Sequence, residues 1–130
     1  MTNFVSFTEG GEVSHVDHLV FNLVDPAADT GSVTSLISKS LKGLATGVAA
    51  RFDSDPLIDY RAQRPLMNFR NGRLVGMRRD GIVLSHATDV EGHRFLHLNG
   101  TEPDFQWDAL LADILDVIER FGVTRTYSFT

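Results

Sequence analysis

His18-Leu-Val-Phe-Asn-Leu-Val24 runs into Asp25-Pro-Ala-Ala-Asp-Thr-Gly31, and Val33, Leu36, Ile37, Leu41 and Leu44 follow at helical spacing. The short apolar run reads as a buried strand. Asp25-Pro26 ends it, because proline lacks an N–H donor and restricts the residue before it. Asp29 or Thr30 can then cap a helix over residues 32–44, and Gly43 and Gly47 bracket its end. Thr46 to Phe52 resumes a strand pattern and closes at Asp53-Ser-Asp-Pro56. Strand, helix and strand in this order form a βαβ unit with a right-handed crossover.

Working outward, Leu57-Ile-Asp-Tyr-Arg-Ala-Gln-Arg-Pro65 is polar and expected at the surface. Met67-Asn-Phe69 and Arg73-Leu-Val-Gly-Met77 flank Asn71-Gly72, a strong hairpin signal. Asp80-Gly81 marks another turn, with Ile82-Val-Leu-Ser-His86 after it. This middle region reads as antiparallel β at a sheet edge or in a projecting ribbon. Arg94-Phe-Leu-His-Leu98 is a further strand, closed by Asn99-Gly100. Thr101-Glu-Pro-Asp104 has the spacing of a capping box. Trp107, Leu110, Leu111, Ile114, Leu115, Ile118 and Phe121 then form the clearest helical stripe, and Gly122 ends it. Val123–Thr130 resumes a strand. Two βαβ units joined by a β-hairpin insertion predict one α/β domain over 1–130, with three α/β/α layers and a mostly parallel sheet. The last strand has no helix after it, so it is either an edge strand or the end of a piece of a longer protein.

At 130 residues, 42% hydrophobic and 22% charged, the chain can fill one core, which excludes disorder as its main state. The absence of cysteine excludes disulfides, thiolate metal sites and cysteine nucleophiles. A net charge of −5 argues against sequence-independent nucleic-acid binding. No apolar run approaches the ~20 residues that span a bilayer, and no secretory signal opens the chain. A cytoplasmic location without membrane contact is expected. Lys39 and Lys42 are the only lysines, against ten arginines. Genome bias explains most of that excess, although arginine alone makes forked contacts to carboxylates or phosphates.

The five histidines raise the question of a metal. On a strand His93 and His97 start about 13 Å apart, at ~3.3 Å per residue, too far to share an ion. His15-Val-Asp-His18 lacks a downstream partner of standard spacing. No metal and no cofactor are therefore expected. The Gly-x-Gly-x-x-Gly and P-loop patterns are absent, and so is the Gly-x-Ser-x-Gly elbow. Ligands of open parallel sheets bind beyond the carboxyl ends of the strands. There the sequence places Asp25, Asp29, Asp53, Asp55 and Glu102, an acidic rim in which Asp29 and Asp104 can equally serve as helix caps. Arg64, held extended by Pro65, can fork onto Glu102, as a structural ion pair or as part of a site.

Asp53 to Phe69, above all Leu57-Ile-Asp-Tyr-Arg-Ala-Gln-Arg-Pro65, resembles the Asp-Tyr-x-x-x-Arg-Pro block of the second type of proteasome assembly chaperone family, notably its actinobacterial members. Leu98-Asn-Gly-Thr-Glu-Pro-Asp-Phe-Gln-Trp107 resembles that family's Gly-x-Glu-Pro-x-x-x-Trp block. The turn from Asp25 to Gly31 matches more loosely, and the family's Pro-His-x-Arg-Pro-like block and later helices have no counterpart. The resemblance implies an α/β/α fold similar to nucleoside phosphorylases, of which 1–130 is the N-terminal half or so. It also implies a non-enzymatic, assembly-chaperone-like module that binds a protein partner or associates with itself as a homo-oligomer. The alternative is a small-ligand binder or hydrolase at the strand-end rim. In it Asp59, Tyr60, Arg64 and Glu102 would gather, with Glu102 as general base and Arg64 holding an anion.

Overall fold

The His18–Val24 run forms strand β2, and its register against its neighbours organises the sheet. The computed structural model describes residues 5–7, 15–24, 33–53, 57, 66–78 and 81–128. In chain order these form β1 (Val5–Phe7), β2, α1 (Val33–Lys42), β3 (Ala45–Phe52), β4 (Leu66–Arg70) and β5 (Arg73–Arg78). Then follow β6 (Ile82–Thr88), β7 (Arg94–Thr101), α2 (Trp107–Phe121) and β8 (Arg125–Ser128). Strands β4 and β5 pair as a separate two-stranded ribbon around Asn71 and Gly72, both at positive φ as the hairpin signal requires.

The main sheet has six strands in the order β1-β3-β6-β7-β2-β8. The expected mostly parallel sheet is not what forms. Three pairings are antiparallel, β1 with β3, β3 with β6, and β6 with β7. Only β2 with β7 and β2 with β8 are parallel. Segment β2-α1-β3 does return a strand in the direction of β2, but the β6–β7 hairpin is inserted between the two. The cause is the short turn from Thr88 to Arg94. Asp89 Oδ1 accepts the backbone N–H groups of Glu91 and His93 at 2.9 and 2.8 Å, locking a tight reversal. That reversal draws β6 into the sheet centre, not to the sheet edge or projecting ribbon expected from the sequence. Strand β8 forms one edge of the sheet, opposite β1, and is exposed along its length.

Register separates the two faces. One carries Leu19, Leu23, Leu84, Leu96, Leu98, Ile82 and Phe52, and the buried side of α2 (Leu110, Ile114, Val117, Phe121) completes that core. The His86 and Phe7 rings both lie against Phe121. At ~1.5–3 kcal/mol per buried large apolar side chain, this face dominates the stability of the fold. On the opposite face lies α1, whose only buried residue is Ser38. The stripe predicted for α1 is therefore rotated: Leu36, at 60% exposure, and Val33 face solvent.

Helix α2 also starts later than the predicted capping box. The N–H groups of Asp104 and Phe105 donate to the Leu57 carbonyl at 2.8 and 3.1 Å, so the chain reaches helical geometry only after Gln106. The two family-like blocks, far apart in sequence, thus meet at the fully buried Leu57. At the C-terminus Gly122 is left-handed, and its N–H and that of Val123 close the last turn.

Gly100, at φ 148°, lies where β7 passes the start of β6. A Cβ there would meet the Gly81 carbonyl and sit 2.8 Å from Ile82 Cα. Gly100→Ala is expected to cost more than about 2 kcal/mol in urea unfolding. An unchanged midpoint would show that β6 and β7 do not approach as described.

Candidate functional site

The face beneath α1 is built from polar rungs. Register aligns Arg51, Val83, Asn99 and Asn22 across β3, β6, β7 and β2, and Ser85, His97 and Val20 across the next rung. Asn22 is fully buried, and neither its amide nitrogen nor its amide oxygen has a hydrogen-bond partner among the described residues. Both ring nitrogens of the buried His97 are in the same condition. Asn99 donates a long bond of 3.4 Å to the Val83 carbonyl. An unsatisfied buried polar group costs about 1–3 kcal/mol, so this strip is retained against stability. It also accounts for the rotation of α1: a polar floor takes Ser38 better than Leu36.

Burial depresses His97 from the ordinary histidine value near 6.5 to about 4, and the nearby Lys42 charge acts in the same direction. His97 is therefore neutral at physiological pH. His93, by contrast, is exposed, with Nδ1 3.2 Å from Asp89 Oδ2. The two histidines that share a strand-like stretch of sequence serve unrelated surroundings.

At the carboxyl ends of β2, β3 and β7 a cavity of about 670 Å³ opens between α1 and the sheet. Ser35, Ser38, Lys39 and Lys42 line it from the helix, Arg51, Asn99 and Thr101 from the strands. Its described charges are all positive. A second cavity of about 530 Å³, at the other end of α1, has Val20, Leu41, Leu44, Phe95 and Tyr127 among its walls, together with His18, Asp89, His93 and Arg94.

On the far side of the sheet, the apolar arc of α2 is wider than the core covers. Trp107, Leu111 and Leu115 recur every fourth residue and stay exposed, Leu115 at 64%, with Phe105 beside them. Trp107 is thus a surface residue, although its place in the helical stripe pointed to the core.

Residues 23–130 match the profile of the PAC2 family. The chain belongs to the PAC2 family. A Corynebacterium glutamicum protein of unknown function superposes with a TM-score of 0.85 at 27% identity, over 96% of this chain and 48% of that one. A Mycobacterium tuberculosis protein of unknown function gives 0.84 at 28% identity, over 96% and 45%. The M. tuberculosis proteasome-assembly chaperone homologue gives 0.68 at 18% identity, over 85% and 48%, a likeness of fold. This PAC2 chain spans about half the length of these relatives. No curated protein matches it.

Of the PAC2-type residues singled out in sequence, Asp25, Asp29, Asp59, Tyr60 and Arg64 lie outside the described residues. Glu102 is half-buried just after β7, where its N–H extends the ladder to the Val24 carbonyl at 2.8 Å. Lys39, Lys42, Arg51, Asn22, His97 and Asn99 were not anticipated as a group. The available signals were the two lysines sharing one helix and an asparagine inside an apolar strand.

The unfolded chain protonates His97 near pH 6.5, the folded chain only near pH 4. Between these values the unfolded state holds more protons, so stability falls as pH falls through that window. The loss amounts to about 3 kcal/mol at full development. His97→Leu is expected to flatten the urea-midpoint profile between pH 6.5 and 4. An acid limb as steep as in the parent chain would contradict this.

Proposed function

We propose that this PAC2 chain is a non-enzymatic protein-binding module that acts in assembly, on a three-layer α/β/α frame. The observation that carries the reading is the exposed apolar arc of α2, formed by Phe105, Trp107, Leu111 and Leu115. Four large apolar side chains on one ridge favour burial against another protein, and aromatic anchors of this kind dominate interface energies. The family supports the same reading, since a structural neighbour is a proteasome-assembly chaperone homologue. The partner surface would be an apolar groove on an assembling subunit or a second copy of this chain, met in the cytoplasm.

Charge placed on the ridge tests it. Leu111→Glu/Leu115→Glu should leave the thermal midpoint within a few degrees, because both side chains already face solvent. Sedimentation velocity, with and without a co-purified subunit identified by mass spectrometry, should show association weakened at least tenfold. A parent chain that stays monomeric and unbound at all concentrations would refute the reading, as would a variant that associates equally well.

A further inference from the structure

The cavity at the carboxyl ends of β2, β3 and β7 has a chemistry that protein docking on α2 does not use. Both lysines of the chain point into it, from positions three apart on α1, and Arg51 faces them from β3. None of the three forms a salt bridge with another described residue. Three cations lining one cavity repel one another, and a bound anion would remove that repulsion. Beside them Asn99, 94% buried by its 6% exposure, lines the same cavity and holds only its long contact to Val83. Behind Asn99 on the same rung sits Asn22, with its whole amide unsatisfied. A polar floor backed by an unpartnered buried amide, next to concentrated positive charge, is costly for an idle surface and suited to a ligand.

The volume, about 670 Å³, falls within the range of small-molecule sites, and the position is the one where α/β sheets with parallel strands bind ligands. We propose that this cavity binds a small organic oxyanion. Lys39, Lys42 and Arg51 hold its phosphate or carboxylate, and Asn99, backed by Asn22, reads its neutral hydrogen-bonding part. Arg51 supplies a planar fork and the lysines supply point charges that adjust to it, a combination that accepts either oxyanion. The site uses a different face and different residues from the protein-binding ridge, so either can fail without the other.

Inorganic phosphate and citrate, each titrated into the whole chain at matched ionic strength, provide the test, with backbone and Asn side-chain amides followed by NMR. Saturable shifts at Lys39, Lys42, Gly100 and the Asn99 side chain are expected for at least one probe. Saturation by phosphate alone assigns a phosphoryl ligand, by citrate alone a carboxylate. Lys42→Ala and Arg51→Ala, substitutions at exposed positions, should each weaken binding at least tenfold while the chain stays folded. Asn22→Leu should raise the thermal midpoint by about 3–6 °C, as expected when an unsatisfied buried amide is removed, and should cancel the Asn99 side-chain shift. Linear shifts like those given by sodium chloride would overturn the proposal, as would saturation that survives both cation variants.

Discussion

Parallel pairing of β2 with β7 is the constraint on which the rest of the structure depends. It sets Leu19 beside Leu96 and Phe21 beside Leu98 on one face, and Asn22 beside Asn99 and Val20 beside His97 on the other. A slip of one residue would carry the amides into the core and the leucines under α1. The apolar face is strong enough to fix the register: Leu19, Leu96 and Leu98 are fully or almost fully buried and packed with α2. The polar face carries the unsatisfied amide of Asn22 and the imidazole of His97, presented by the same strands that build the core.

The two helices answer to these two faces differently. Helix α2 buries Leu110, Ile114, Val117 and Phe121 and still has apolar surface left over at Leu111 and Leu115. Helix α1 contributes little apolar burial, turns Leu36 outward and lays Ser38 on the sheet. Helix α2 is a structural element with a surplus face, and α1 is a loosely held cover over a polar strip. The proposed functions follow the difference. Surplus apolar area suits a protein partner, whereas a polar floor under a basic helix suits a small anion.

Much of the local structure was legible from residues. The apolar run at His18–Val24, the Asn71-Gly72 turn and the α2 stripe ending at Gly122 each form where their patterns place them. Strand order was not legible, because β6 carries the same apolar signal whether it lies at an edge or in the middle. The Asp89 turn that decides the matter is a contact between a side chain and two amides, invisible to periodicity. The α1 stripe misled for a related reason: helical spacing shows which residues share a face, and the partner surface decides which face is buried. Of the candidate rim, only Asp53 and Glu102 fall in the described part. The basic group at the cavity comes together through sheet register, which no spacing along the chain reveals.

The central claim is that the sheet holds a buried polar strip beneath α1, opposite its apolar core. An NMR titration of the histidine side chains tests it most directly, since the five rings report on separate surroundings. The account predicts that the His97 ring stays neutral down to about pH 4. A His97 ring titrating near the ordinary value of 6.5 would mean that water reaches the strip freely, and would contradict the two-faced sheet described here.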